Sequence, residues 1–181
     1  MLTALVLALA ASGASAARIK WAGSQGPSAG FLAVNGGDLQ NDGKAITYVI
    51  SQCGADSSST NNRRLVHTNW DFRVGEETKF KISEEGANLC LDAGLQQYNG
   101  SPVKVWECLD GVPQQQWFVS NEGQFKLANT GMSLHASDRA NQIDFCVDVK
   151  DGEVTAEQLQ LWQCTEGNAN QVWHTVFITN F

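Results

Sequence analysis

The chain has 181 residues, with 19 acidic against 12 basic side chains for a formal net charge of −7, five Cys, six Trp, 17 Gly and three Pro. At 43% hydrophobic and 17% charged it is apolar enough to bury a core, which excludes a disordered or collagen-like polymer, and its length fits one domain. The negative charge supplies no field to neutralise phosphate or anionic lipid, so nucleic acid and membrane surfaces are poor partners.

Met1 to Ala16 carries no charged side chain, has an apolar run from Leu2 to Ala11 and closes on Ala14-Ser15-Ala16. This is the pattern of a secretory signal peptide over residues 1–16, leaving a mature chain of about 165 residues, 17–181. The run is too short to anchor in a bilayer, which takes about 20 apolar residues, so no membrane insertion is expected. Export predicts an oxidising compartment where cysteines pair, and an extracellular location.

The chain then repeats itself. A first, degraded copy runs from Phe31-Leu32-Ala33-Val34 through the turn Asn41-Asp42-Gly43 to Cys53 and Thr68-Asn69-Trp70, with a polar loop from Gly54 to Arg64. A second copy reads Leu89-Cys90-Leu91-Asp92-Ala93, Val105-Trp106-Glu107-Cys108 and Gln115-Gln116-Trp117. A third reads Phe145-Cys146-Val147-Asp148-Val149, Leu161-Trp162-Gln163-Cys164 and Gln171-Val172-Trp173. In the last two, Cys to Cys is 18 positions, Trp to Trp 11 and first Cys to last Trp 27. Alternating runs such as Val103-Lys104-Val105-Trp106, parted by turns such as Asn99-Gly100, predict short antiparallel strands. Three four-stranded units, approximately 29–80, 81–127 and 128–181, predict an all-β, threefold-symmetric closed architecture, because one unit alone cannot bury its apolar face. The segment 129–144 is an insertion; Met132-Ser133-Leu134-His135-Ala136 offers an alternative third-copy strand, but the spacings favour Cys146.

The Gln-x-Trp units, the Cys-(Leu/Val)-Asp strand and the Trp-x-Cys element resemble the ricin B-type lectin family, over roughly Phe31 to Trp173 and most closely its secreted fungal members. The resemblance implies a β-trefoil that binds carbohydrate without catalysis. It implies intra-repeat disulfides Cys90–Cys108 and Cys146–Cys164, leaving Cys53 without a partner as a buried, inert thiol. Trp70, Trp117 and Trp173, one per copy, are expected in the core. Trp106 and Trp162 either pack at the rim or offer their faces to the C–H side of a pyranose. Trp21 has no evident role.

A sugar site needs a carboxylate acceptor, an amide that both donates and accepts, and an aromatic floor. Carried over by resemblance, these are Asp148, Gln160, Trp162, Asn170 and Gln171 in the third copy. In the second they are Asp92, Lys104, Trp106, Gln114 and Gln115, altered because Lys104 cannot accept. The bland alternatives are turn residues for Asp92 and Asp148 and loop clamps for Gln115 and Gln171. The first copy has Ala33, Val49, Ser51, His67 and Thr68 at these positions and is expected to be inert. Galactose-type glycans are the expected partners, and avidity would require two sites or a homodimer.

No hydrolase elbow, phosphate loop, dinucleotide fingerprint or zinc motif is present, so no cofactor or metal is expected. Glu76-Glu77 and Glu84-Glu85 read as solvated surface, since neighbours on a strand face opposite ways. Asn99-Gly100-Ser101 is a glycosylation sequon on a hairpin tip, followed by Pro102. A second class of function, a protein-binding trefoil such as a protease inhibitor, would act through the 54–64 loop.

Overall fold

A computed structural model describes residues 17–24, 29–34, 39–49, 67–128, 144–154 and 158–177. The expected leader, Ser51, Cys53, the 54–64 loop and Met132 to Ala136 lie outside the described residues. Among the described residues the regular structure is thirteen strands and short 3-10 turns: β1 (Ala17–Trp21), β2 (Gly30–Val34), β3 (Gly43–Val49), β4 (Asn69–Asp71), β5 (Glu77–Thr78), β6 (Lys81–Ile82), β7 (Leu89–Asp92), β8 (Lys104–Glu107), β9 (Trp117–Val119), β10 (Phe125–Leu127), β11 (Phe145–Asp148), β12 (Gln160–Gln163) and β13 (Trp173–Phe177). Alternation makes the strands: β1 buries Ala17, Ile19 and Trp21 and leaves Arg18 and Lys20 partly exposed. A period of two is what a half-buried strand requires.

Seven strand segments close a ring of six positions, β5 and β6 following one another along the chain at one of them. Antiparallel pairing links β1 to β4, β4 to β6, β5 to β9, β9 to β10 and β13 to β1. The remaining gap, β10 to β13, is closed by the Gln124–Val172 bridge and by Trp173 N donating to Gly123 O at 2.9 Å. Each Trp of the Gln-x-Trp type faces an apolar residue of the next ring strand: Trp70 opposite Ile82, Trp117 opposite Leu127, Trp173 opposite Trp21. Trp21 therefore has a place, as the third member of this ring position. Closure removes the unpaired edges that a flat sheet of this size would present.

Three hairpins, β2–β3, β7–β8 and β11–β12, cap the ring. They meet on the axis in a cycle of three hydrogen bonds: Ala45 N to Val103 O at 3.3 Å, Val103 N to Leu159 O at 2.8 Å, and Leu159 N to Ala45 O at 2.8 Å. Each donor lies one copy away from its acceptor, so no hairpin completes its bonding without the other two. Inside the ring, Phe80 stacks near Phe72 and Phe125, both at 4.7 Å between centroids, and Phe125 lies 5.8 Å from Trp173. Trp70, Trp117 and Trp173 are buried, as the repeat predicts. A six-strand ring capped by three symmetry-related hairpins is a β-trefoil.

Candidate functional site

The three core indoles give an internal ruler. Trp70, Trp117 and Trp173 donate from Nε1 to the carbonyls of Leu32, Leu91 and Val147, at 3.1, 3.0 and 3.2 Å. Leu32, Leu91 and Val147 are thus equivalent, which places Phe31 where Cys90 and Cys146 stand and Ala33 where Asp92 and Asp148 stand. β11 is accordingly the third-copy strand. Opposite these residues, Ala33 faces Ile46, Asp92 faces Lys104 and Asp148 faces Gln160; Phe31 faces Tyr48, Cys90 faces Trp106 and Cys146 faces Trp162. This corrects the sequence register of the first copy: Ile46 and Tyr48, not Val49 and Ser51, occupy the amide and platform positions. Counting back from Cys53 misplaces them because strand register is set by cross-strand bonding and not by distance to a cysteine in a longer connection. The first copy has lost the carboxylate but keeps an aromatic residue.

In the third copy the strand faces put Asp148, Gln160 and Trp162 together, because Gln160 and Trp162 are two apart on β12 and Asp148 pairs directly with Gln160. Gln160 Nε2 donates to Asp148 Oδ1 at 2.9 Å, and Gln171 Nε2 donates to Oδ2 at 3.2 Å. Asp148 is only 3% exposed, whereas the Trp162 beside it is 40% exposed. Burial pushes the Asp148 carboxyl above its ordinary pKa; the Gln160 and Gln171 hydrogen bonds oppose this and nearby Asp151 adds to it. The Cys146–Cys164 disulfide ties the base of the hairpin, at a Cα separation of 5.1 Å. Asn170 sits on the 3-10 turn Ala169–Gln171, capped by Asn168, and its Oδ1 lies against Gly152. A Cβ on Gly152 would come within 2.9 Å of that oxygen, at a backbone φ of +69°, so glycine lets the two loops meet.

Gln171 is fully buried. Its Oε1 accepts from Thr165 N at 2.9 Å while Nε2 also reaches Gln163 O at 3.0 Å. Gln115 repeats this arrangement, accepting from Leu109 N at 2.9 Å and donating to Glu107 O at 2.8 Å and Asp92 Oδ2 at 3.0 Å. Neither amide presents a surface to a ligand. Both clamp a loop and hold a carboxylate, so they are positioning residues and not members of an open pocket.

The second copy has the same frame, with the Cys90–Cys108 disulfide in place and Gln114 giving its carbonyl to Ala93 N as Asn170 does to Val149 N, each at 2.9 Å. Asp92, also 3% exposed, accepts from Gly94 N at 2.7 Å on its other oxygen. Lys104, although opposite it across the strands, makes no ion pair with it. Its ammonium pairs with Asp42 and lies 4.6 Å from the centroid of the half-buried Trp106 ring. The sequence reads Asp42 only as a turn residue, although its alignment with the Asn99-Gly100 turn marks it as a neighbour of this site.

The remaining candidates fall into structural roles. Trp21 Nε1 donates to Ala169 O at 2.8 Å, supporting the turn that bears Asn170. His67 Nδ1 lies 3.1 Å from Glu84, so that glutamate is not simply solvated. Asn99 Oδ1 accepts from Gln163 N at 2.7 Å, which holds the sequon tip against the Trp162 strand. Among the described residues no group of three His, Cys, Asp or Glu is placed to hold a metal ion.

Solved structures share this fold. ThreeFoil, a designed threefold-symmetric protein, aligns with a TM-score of 0.60 at 16% identity, over 90% of this chain and 99% of its own. The Macrolepiota procera ricin B-like lectin in complex with lactose aligns with 0.58 at 15%, over 92% and 98%. A non-toxic homologue of type II RIPs from Momordica charantia, in complex with α-methyl-D-galactoside, aligns with 0.56 at 15%, over 91% of this chain and 48% of its own, so this chain spans about half of it. A search of curated proteins gives no match. The family model of the ricin-type β-trefoil lectin domain matches residues 32–173, and with the Trp ruler, the paired cysteines and the closed ring, the chain belongs to that family.

Proposed function

We propose that the protein is a secreted, non-catalytic lectin that takes a galactose-type glycan at the third repeat, around Asp148, Gln160, Trp162 and Asn170, with Gln171 holding the carboxylate. The observation that carries this reading is the buried, amide-tethered Asp148 carboxylate on the same sheet face as Trp162, whose side chain is left exposed to solvent. A carboxylate oriented by two amides accepts from adjacent sugar hydroxyls as the partly exposed Gln160 amide gives way, and an indole face stacks on the apolar side of the ring. The lactose and α-methyl-D-galactoside held by the two lectin-fold neighbours support the galactose class. Secretion is supported by the leader-like residues 1–16 and by two disulfides, which persist in oxidising compartments. Shallow single sites bind weakly, so a homodimer would serve avidity.

The test is a glycan array probed with residues 17–181, wild type against Asp148→Asn. Asparagine keeps the shape and an acceptor for Gln171 but removes the charge that strengthens bonds to sugar hydroxyls. Terminal galactosides should light up in the wild type and fade at least tenfold in the variant. Equal signals from both proteins would overturn the assignment.

A further inference from the structure

The second repeat has the carboxylate, the indole and the disulfide of the third, yet its indole is covered from within the chain. The equivalence is set by hydrogen bonds: Asp42 N donates to Val105 O at 3.0 Å, and Gly100 N donates to Leu161 O at 2.8 Å. Both Asp42 and Gly100 are at positive φ, +68° and +90°. The turns of the first and second repeats thus dock on the platform strands of the second and third. Where the first repeat's turn carries a carboxylate, the second repeat's turn carries a hydrogen. Likewise Lys104 and Gln160 are the same position, facing Asp92 and Asp148. Gln160 folds down onto its aspartate and leaves Trp162 open. Lys104 is drawn across to Asp42 and rests its ammonium on Trp106.

We propose that Lys104 and Asp42 form a lid over the second repeat's platform, so that they decide which repeats take sugar and make the chain monovalent. This rests on the carbohydrate reading of the third repeat and deepens it. A pyranose stacking on Trp106 must displace an ammonium from the ring and part it from a carboxylate. Lysine, having no acceptor, returns less to the sugar than the Gln160 amide does. A cation–π contact and an exposed ion pair are each small, but together they set a handicap of about tenfold in affinity, so the second repeat stays largely empty at lactose concentrations that fill the third. The lid is electrostatic and therefore weakens with salt.

Calorimetric titration with lactose separates the outcomes, using wild type, Lys104→Gln, Asp42→Asn and the double variant Lys104→Gln/Asp148→Asn. At lactose concentrations that fill the third repeat, the wild type should bind one lactose per chain and Lys104→Gln two, with a new ability to agglutinate lactose-coated beads. The double variant should bind one, now at the second repeat. In the wild type the second, weaker site should strengthen as salt is raised from 0.05 to 0.5 M, on the order of the screening range, whereas Asp42→Asn, which removes the ion pair without touching the platform strand, should strengthen that site with little further dependence on salt. Two sites of equal affinity in the wild type would overturn the lid, as would a second site no stronger in Lys104→Gln and Asp42→Asn than in the wild type. A double variant that binds nothing while Lys104→Gln binds one would show that the second repeat is no sugar site. No binding by any of the four proteins would instead overturn the galactoside reading on which the lid depends.

Discussion

Asp148 is the residue on which recognition and stability pull in opposite directions. Its carboxyl is held above the ordinary value mainly by burial, so the folded state holds the proton more tightly than the unfolded chain. The stabilisation from the protonated form is then fully present below the unfolded pKa and is lost as pH rises through the raised folded pKa. At the proposed site binding runs the other way, because the ionised carboxylate is the acceptor assigned to the sugar hydroxyls. Galactoside affinity should therefore fall on acidification at a higher pH than an ordinary aspartate would dictate, while the melting temperature changes little or rises over the same window; Asp148→Asn should flatten that contribution to both profiles. Gln171 makes the complementary case. Gln171→Ala leaves Thr165 N, Gln163 O and Asp148 Oδ2 without this partner, and a buried group left unpaired costs about 1–3 kcal/mol, so urea titration should show a loss of at least that size together with weaker binding. The sequence could not separate these roles. A glutamine that touches a sugar and one that clamps a loop look alike as letters, and only the full burial of Gln115 and Gln171 distinguishes them. The core tryptophans were legible because three copies at fixed spacing have one economical use for a large apolar ring.

Hairpins are the elements that carry the proposed sites, and the three are stabilised differently. The second and third are each closed by a disulfide across 18 positions. In the chain-entropy model a loop of that size is worth about 3 kcal/mol. Replacing Cys146 and Cys164 by Ser should lower unfolding free energy by about that amount and loosen the strand that presents Trp162, a loss read by denaturation and lactose titration together. The first hairpin has Phe31 and Tyr48 at the positions of a cysteine and its facing tryptophan, and its strands pair over five positions, Gly30–Val34 against Ala45–Val49, one more than the others. Strand identity and the Asn41-Asp42-Gly43 and Asn99-Gly100 turns were readable from alternation and turn chemistry. The register of the first hairpin was not, since it follows from bonds to other strands: Val34 meets His67, and Trp70 reaches back to Leu32.

At the scale of the molecule, the ring couples the start of the described chain to the site. β1 pairs along its whole length with β13, from Ala17 opposite Phe177 to Trp21 opposite Trp173, and Trp21 reaches the Ala169 carbonyl 148 positions away. Trp21→Ala should cost about 3–5 kcal/mol as a large-to-small core change and should also weaken sugar binding, because the turn it supports bears Asn170 and Gln171. No local pattern could reveal this, which is why Trp21 was the one tryptophan the sequence left without a role. Symmetry supplies three equivalent positions, and the proposed division of labour follows from what fills them: Tyr48 without a carboxylate, Trp106 beneath Lys104, and Trp162 exposed on the strand that faces Asp148. The most direct test of this division is lactose titration of wild type against Trp162→Ala, with circular dichroism and melting as controls for the fold. One binding event in the wild type and none in the folded variant is the predicted result; an unchanged binding isotherm in a folded Trp162→Ala protein would contradict the account.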